Sequence, residues 1–316
     1  MPEQFCLRLP FSPPLHAPSL FGHLAATAVP CVERWTDGAL ERTLRLPHGP
    51  GLVRLHAPAE SATASHLITA DLWLQDPRDQ QSATDQCRRM LDLDSDPVAV
   101  DTALCKDVAL APATLARPGV RIPGTVDPAE FALRAVLGQQ VSTAAAATTA
   151  GRIVRELGDP LPSSLVLHPG QPDRLFPTAT TLAALAADDP RLPGMPATRA
   201  RTLLAVATAL VDGSLDLRSE VPRPTVRAQL DAIPGVGPWT REIIVMRGLG
   251  DPDAFPATDL GVRRGAEALG LDPDPRSLER HAEAWRPWRS YAVQTFWGAT
   301  AHPAARLPPT SQETIR

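Results

Sequence analysis

Residues 230–259 decide the fold of this chain, and they read LDAIPGVGPWTREIIVMRGLGDPDAFPATD. An apolar run ends at Ile233, and a tight Pro-Gly-Val-Gly turn follows it. The spacing beyond the turn predicts a second helix over residues 239–249, and a third helix is expected to begin at Asp259. The sequence therefore predicts two helices joined by a glycine turn, with a carboxylate twenty residues beyond Trp239.

The composition of the turn is that of a site for an anion. Gly235 and Gly237 can adopt positive φ and have no Cβ, so the backbone can approach a bulky partner. Pro238 costs little at a helix start, where its missing N–H would be unpaired anyway. The exposed amides of the turn and the helix start favour an anion such as phosphate. The hairpin alone is also consistent with an ordinary αα-hairpin of the kind found in many helical proteins.

The overall composition indicates a globular protein. Its 316 residues suggest about two domains, and its 35 prolines favour short elements joined by stiff loops. No apolar run approaches the roughly 20 residues of a membrane span. The N-terminus has no basic region followed by a long apolar segment, so no secretory signal is expected. We therefore expect a soluble, cytoplasmic protein with no membrane partner.

The four cysteines all lie in the first third of the chain and form no C-x-x-C pair. A zinc or iron–sulfur site would need closely spaced ligands, and a disulfide framework would need an extracellular context. We therefore expect reduced thiols and no required cofactor.

The charge pattern limits how this chain could bind nucleic acid. The formal net charge of −4 argues weakly against such a partner, whereas residues 191–300 hold 14 Arg against 13 Asp and Glu. If DNA is the partner, backbone amides and a few placed arginines must bind it, and the salt dependence should be modest. The chain has 30 Arg but a single lysine, Lys106, which is far in sequence from the hairpin.

Patterns elsewhere predict an α+β fold that is mostly α. Three apolar stretches separated by turns predict strands of an antiparallel sheet, at residues 40–46, 51–57 and 64–70. Beyond a Pro/Gly-rich joint the spacing is helical almost throughout, and it ends in a final helical region over residues 278–300. We predict an N-terminal α+β domain, a helical region that carries the hairpin, and a disordered tail, at residues 1–108, 109–302 and 303–316.

Five short motifs follow one another along the chain: Pro13-Pro14, RAVLGQQVS at 134–142, PGVGPWT at 234–240, Asp259, and WRPWRSYA at 285–292. Their order and spacing resemble the helix-hairpin-helix DNA glycosylases, in particular the bacterial 3-methyladenine DNA glycosylase II family, over nearly the whole chain. The resemblance implies an N-terminal antiparallel sheet with helices, followed by two all-helical subdomains with the active cleft between them. It also implies hydrolysis of the N-glycosidic bond of an alkylated base.

Asp259 matches the catalytic carboxylate of that family. A sugar that is losing its base develops oxocarbenium charge, which a carboxylate can stabilise while it orients the attacking water. The alternative is that Asp259 merely caps the helix that follows, because aspartate is favoured at that position. The two roles are compatible.

The resemblance places the wall of a base pocket at Trp239, Trp297, His23, Ile243 and Leu260. An alkylated base is a cation with a π-face, and stacking it on indole is worth ~0.5–2 kcal/mol. The tryptophans could instead be ordinary core residues. The family has aromatic residues where this chain has His23, Ile243 and Leu260, which leaves the base preference open. His23 could change the charge of the pocket with pH, or it could simply pack a helix.

The resemblance also assigns contacts with DNA. Gln139 and Gln140 match a loop that fills the gap left by an extruded base, although they could be a polar helix break. The hairpin would contact the backbone of the DNA through Gly235, Val236, Gly237 and Thr240. The family binds a monovalent cation there through main-chain carbonyls, so a structural Na+ or K+ is expected at Asp231, Ile233 and Val236.

Three functions remain open at the level of sequence. The leading interpretation is a monofunctional DNA glycosylase that acts as a monomer on damaged double-stranded DNA. A glycosylase with strand-cleaving lyase activity would need a lysine where Trp239 stands. A non-enzymatic DNA-binding or scaffold protein would use Asp259 only as a helix cap. The excised base could be 3-methyladenine, 7-methylguanine, hypoxanthine or another.

Overall fold

The computed structural model describes residues 2–58, 66–192, 194–300 and 306–308. In these ranges the chain forms one five-stranded antiparallel sheet with the order β1-β5-β4-β3-β2. The strands are β1 Glu3–Pro10, β2 Glu33–Thr36, β3 Ala39–Arg45, β4 Pro50–His56 and β5 Leu67–Leu74.

Thirteen α-helices lie within the described ranges. Those before the hairpin are α1 Ala17–Ala26, α2 Gln80–Met90, α3 Pro97–Leu104, α4 Ala111–Ala116, α5 Pro128–Leu137, α6 Thr143–Leu157, α7 Ala179–Ala183 and α8 Ala197–Asp212. The hairpin and the remainder are α9 Arg223–Asp231, α10 Pro238–Ile243, α11 Leu260–Ala268, α12 Pro275–Ala282 and α13 Arg289–Ala299. The predicted α+β class, with most of the ordered chain helical, is confirmed.

The sheet buries one face against helices of the N-terminal part. Along β5 the fully buried residues alternate with more exposed ones, and Ile68, Ala70 and Leu72 pack in a cluster with Leu20 of α1 and Cys87 of α2. This alternation is what an antiparallel sheet with one covered face requires. The first two predicted strands are confirmed to within a residue at each end. Residues 64 and 65 of the third lie outside the described residues, and its strand runs on to Leu74.

The second core is helical and extends into the N-terminal half of the chain. It is built around Phe131, Leu133 and Val136 of α5, and it includes Val100 of α3 and Val29. Packing therefore crosses residue 108, and the domain boundaries stay predictions.

Two predicted helices have different bounds from those expected. The helix predicted over 239–249 is α10 followed by a π-helical turn, Ile244–Gly248. Its sequence IIVMRG carries no signal that separates a π turn from an α turn over five residues. The final helical region is divided into α12 and α13, because Pro287 lies between them and cannot continue a helix.

A buried ion network ties the sheet to α5, which leads into the predicted DNA-contacting loop. Arg42 of β3 donates to both oxygens of Glu130 at 2.7 Å and also bonds Glu33. Arg134 donates to Glu33 at 3.0 Å and to the carbonyl of Thr27, at the end of α1, at 2.9 Å. Burial alone would raise the pKa of Glu33, but the charges of Arg134 and Arg42 hold it at about 2. Glu33 is therefore ionised at neutral pH.

The tail predicted at 303–316 is described only at residues 306–308. There the backbone of Arg306 lies against α1, since a Cβ added at Gly22 would stand 2.2 Å from the Arg306 carbonyl oxygen. The other residues of the tail that was predicted to be disordered lie outside the described residues. No helix in the described ranges is both long and apolar enough to cross a lipid bilayer.

Candidate active site and DNA interface

Asp259 stands at the start of α11 and accepts three hydrogen bonds. Its Oδ1 accepts from the backbone N–H of Val262 at 2.9 Å, which is the capping bond expected of an aspartate at this position. Oδ1 also accepts from Nε1 of Trp297 at 2.9 Å, and Oδ2 accepts from Nε1 of Trp239 at 2.7 Å. Asp259 therefore caps a helix and is also oriented by two indoles, so the two interpretations of this residue coexist.

The two tryptophans line the cleft and also orient the carboxylate of Asp259. Trp239 lies in the first turn of α10 and Trp297 near the end of α13, so Asp259 joins two helices that are distant in sequence. Gly261 leaves room for the Trp297 indole beside Asp259. A Cβ at this position would stand 2.9 Å from Trp297 and 3.0 Å from Asp259 Oδ1. Two neutral donors fix the carboxylate in one orientation and replace the water it would otherwise bind. The sequence indicated both tryptophans, but not the direction of their N–H groups.

Asp259 opens onto a cleft of about 1060 Å³, and every residue predicted for the base pocket lines it. The imidazole of His23, on α1, stacks on Trp297 with ring centroids 5.4 Å apart and an interplanar angle of 25°. Ile243 is buried, whereas Leu260 is 56% exposed and lies at the mouth. The structure thus brings the five predicted pocket residues together with Asp259.

The hairpin turn places its two glycines in different conformations. Gly235 has φ +87°, and a Cβ there would stand 1.9 Å from Oγ1 of Thr202 on α8, so only glycine fits. Both glycines can adopt positive φ, but only Gly235 does so, and Gly237 has φ −97° and ψ 176° as the N-cap of α10. N-cap residues adopt this extended conformation because the helix begins only after them. Nothing lies within 4 Å of a Cβ added at Gly237, so its surface is open.

The predicted DNA-contacting loop between α5 and α6 is fastened to the hairpin by Gln139. Its Nε2 donates to the carbonyl of Gly235 at 3.0 Å and to the hydroxyl of Thr240 at 2.9 Å. Its own carbonyl accepts from Arg199 of α8 at 2.7 Å. Gln140 is exposed and has φ +56°. The two glutamines therefore differ: Gln139 holds the loop in place, and Gln140 is presented to solvent.

Thr240 was predicted to contact DNA, but the structure buries it, and its hydroxyl is used by Gln139. Its side chain therefore acts inside the protein, as the anchor for the loop. Val236 is also buried, so its contact with DNA could involve only its backbone.

The predicted cation ligands are three main-chain carbonyls around the end of α9. The Ile233 carbonyl accepts the N–H of Val236 at 3.1 Å and has a second lone pair for a cation. The Asp231 carboxylate pairs with Arg241 at 2.8 Å and is occupied. No cluster of three His, Cys, Asp or Glu suited to a metal occurs in the described part of the chain. The lone pair on the Ile233 carbonyl is compatible with a monovalent cation, and the cation itself stays a prediction.

Arg247 and Gln294 are two of several polar residues that line the cleft and were not predicted. Each interrupts an apolar run, IIVMRGL and AVQTFW, which is the signal that could have revealed them. Arg247 donates from Nε to the carbonyl of Pro123 at 2.7 Å, and its guanidinium lies 4.8 Å from the ring centroid of Phe131. Burial, with the nearby charge of Arg134, lowers the pKa of Arg247 to about 9, so it is still cationic at pH 7.

The fold and this site define a class of protein: a helix-hairpin-helix scaffold with an indole-bound aspartate beside a deep cleft. Residues 6–127 match the AlkA N-terminal domain. Residues 133–290 match the HhH-GPD superfamily base excision DNA repair proteins. The chain belongs to this HhH-GPD superfamily.

The chain is also similar in sequence to two proteins whose names refer to DNA repair or base removal. The chain is 49% identical over 309 residues to the probable bifunctional transcriptional activator/DNA repair enzyme AlkA of Mycobacterium tuberculosis, covering 98% of this chain and 59% of that protein. It therefore spans about three fifths of that relative. It is 31% identical to DNA-3-methyladenine glycosylase 2 of Escherichia coli, covering 92% of this chain and 95% of that protein.

The fold is shared with solved structures at low sequence identity. The 3-methyladenine DNA-glycosylase of Archaeoglobus fulgidus aligns with a TM-score of 0.76 at 19% identity, over 92% of this chain and 97% of that one.

Proposed function

We propose that this protein is a DNA glycosylase of base excision repair, which extrudes an alkylated base of the 3-methyladenine or 7-methylguanine type and hydrolyses its N-glycosidic bond. The observation that carries the proposal is the carboxylate of Asp259, fixed by Trp239 and Trp297 at the edge of a cleft. As the bond breaks, positive charge develops on the sugar, and a fixed carboxylate stabilises it without reorganisation. The same oxygen atoms can orient a water for attack at C1′.

The wall of the cleft suits a base that carries positive charge. The His23–Trp297 stack provides a broad π-surface, and an alkylated purine ring is a cation that binds such a face. The base must leave the duplex to reach Asp259, because the bond is inaccessible inside the stack. Gln140 is exposed on the loop beside the cleft, where it could occupy the vacated position in double-stranded DNA.

Phosphate contacts would come from the hairpin and from arginines near the cleft. The surface at Gly237 is open, so a phosphate could approach the backbone amides at this end of the turn. Arg264 lines the cleft and pairs with no carboxylate in the described part of the chain. A Na+ or K+ on the carbonyls of Asp231, Ile233 and Val236 would add positive charge beside the phosphate, and no step of the reaction passes through it. We expect one protein molecule to act on each lesion.

We infer that the reaction stops at the abasic site. A lyase step requires an amine at C1′ that forms a Schiff base, and arginine cannot replace lysine because its guanidinium stays protonated. The single lysine, Lys106, is exposed just beyond α3 and is not among the residues that line the cleft. Trp239 occupies the place where such a lysine would be needed.

The proposal is tested by incubating the protein with methylated duplex DNA and identifying the products. We expect free methylated bases and an intact strand that carries abasic sites, with no covalent adduct after borohydride. Strand scission without heat or base, or a borohydride-trapped adduct, would show that an amine reaches the sugar. DNA binding without any base release would instead favour a non-catalytic binding protein.

A further inference from the structure

Two helices, α10 with its π turn and α13, contribute residues to the cleft beyond the two tryptophans that bond Asp259. On one, Trp239 and Ile243 are four residues apart, and Arg247 follows in the π turn. On the other, Gln294 precedes Trp297 by three residues. Residues three or four apart share a helix face, and the rise of 1.5 Å per residue puts Gln294 about 4.5 Å along α13 from the indole. Gln294 and Arg247 therefore lie deeper in the cleft than the carboxylate.

A contact between the two helices brings Gln294 close to the residue beside Arg247. Nε2 of Gln294 lies 3.9 Å from the sulfur of Met246, the neighbour of Arg247. Gln294 is only 6% exposed, and this weak contact is the only one its amide makes with the described residues. The side-chain oxygen of Gln294 accepts no hydrogen bond from the described residues, and the residue lines the cleft. Its amide is therefore available to a ligand that enters the cleft.

Arg247 supplies donors at the same end of the cleft. Its Nε is used by Pro123, whereas neither terminal nitrogen has a partner within the described ranges. No carboxylate there pairs with it, and Phe131 covers one face of the guanidinium. A guanidinium has donors and no acceptor, so this end of the cleft favours a group that accepts hydrogen bonds.

We propose that Gln294, together with Arg247, reads the far edge of the extruded base and selects purines that carry a carbonyl oxygen on that edge. This inference rests on the proposed function. A base whose sugar lies at Asp259 directs its far edge towards these two residues. A 6-oxopurine, such as alkylated guanine or hypoxanthine, presents an acceptor there. An alkylated adenine presents an amino group, whose hydrogens would face the donors of Arg247.

The test compares the release of two bases from the same methylated DNA under single-turnover conditions. In Gln294→Leu, we expect release of 7-methylguanine to fall roughly tenfold, the size of one lost hydrogen bond, with little change for 3-methyladenine. Comparing each base with its own wild-type rate cancels the different intrinsic labilities of the two bonds. Hypoxanthine in a defined duplex should lose as much as 7-methylguanine, because it is neutral but carries the same oxygen.

Three further variants make the outcome decisive. Gln294→Met keeps the side-chain length and should behave like Gln294→Leu, and Arg247→Met should shift selectivity in the same direction. Gln81→Leu is the same substitution as Gln294→Leu on the exposed surface of α2 and should change neither rate. Thermal unfolding confirms that each variant is folded. Equal loss of both bases, or no loss, overturns this inference while leaving the proposed function standing. No release of any base by the wild type overturns both.

Discussion

At the scale of single residues, the hydrogen bonds on Asp259 are its main distinguishing feature. A helix cap needs one bond, here from Val262, whereas the two indole bonds serve no purpose in capping. They hold the carboxylate in one orientation beside the cleft. The two indole bonds therefore distinguish Asp259 from an aspartate that only caps a helix.

Trp239→Phe removes one of these donors and keeps an aromatic ring in place. We expect base release to fall about tenfold to a hundredfold, because a lost hydrogen bond to a charged group costs about 1.5–3 kcal/mol. DNA affinity should stay near that of the wild type. Trp288→Phe is the matched control, since Trp288 does not line the cleft. Single-turnover release measures both, and an unchanged rate in Trp239→Phe would refute the orienting role.

Asp92 is a second informative residue, although it lies outside the cleft. It accepts from Tyr291 at 3.0 Å and from the N–H of Ile122 at 3.0 Å, and burial raises its pKa to about 6. The folded protein therefore binds this proton more tightly than the unfolded chain. The stability it contributes is fully present below about pH 4 and is lost as the pH rises through about 6.

Asp92→Asn removes the charge and keeps an acceptor, and asparagine tolerates the local φ of +51°. Relative to the wild type, we expect a gain of about 1–3 kcal/mol in the free energy of unfolding at pH 7.5 and little gain at pH 4. Urea unfolding at both pH values measures this difference. A gain of the same size at both would mean that ionisation of Asp92 is not its cause. Asp274→Asn, on an exposed helix cap, controls for the substitution itself.

At the scale of elements, the hairpin is held from two sides. Thr202 of α8 contacts the turn at Gly235, and Gln139 bonds the carbonyl of the same residue. The loop that presents Gln140 is therefore attached directly to the hairpin. Phosphate binding at the hairpin and insertion of the loop into the duplex would be coupled through Gln139.

Gly237→Val tests the hairpin without disturbing its packing. The backbone of Gly237 is extended, and a Cβ there meets no atom within 4 Å, so the variant should fold normally. A bulky side chain would keep phosphate away from the turn, and we expect weaker binding to all DNA sequences alike, since phosphate contacts carry no base information. Titration with undamaged duplexes of different sequence measures this. Wild-type affinity in the folded variant would exclude the hairpin as the phosphate site.

At the scale of the whole molecule, the buried ion network connects the sheet, the end of α1 and α5. The helix α1 carries His23, and α5 leads into the loop with Gln139, so the network joins two elements that contribute residues to the cleft. Each carboxylate in it contacts two arginines. Removing one arginine leaves a buried negative charge undercompensated.

Arg42→Met is therefore expected to lower the free energy of unfolding by about 3–5 kcal/mol. Arg45→Met, three residues along the same strand, removes an exposed pair with Asp159 and should cost less than about 1 kcal/mol. Denaturant unfolding of both variants provides the comparison. Equal, small losses would show that the network contributes little to holding the molecule together.

Sequence patterns predicted the positions of helices and strands better than hydrogen-bond directions and local backbone geometry. Alternation and turns located two strands of the sheet, but the four residues of β2, ERWT, are too short and too charged to show a pattern. The resemblance carried by the five motifs implied that Asp259, both tryptophans and the other predicted pocket residues share one site. Hydrogen-bond directions and the π turn depend on tertiary packing, so no pattern could reveal them. Gln294 was visible as a polar residue in an apolar run.

The central claim is that the charge of Asp259 carries base release, and one comparison tests it directly. Asp259→Asn and Asp274→Asn both replace an N-cap aspartate by a residue that still caps, and only the first lies at the cleft. Single-turnover release of methylated bases is measured for both, along with DNA affinity and thermal stability. We expect Asp259→Asn to lose roughly 10²–10⁴ in rate with affinity and stability nearly unchanged, and Asp274→Asn to match the wild type. Near-wild-type release by Asp259→Asn would contradict the account.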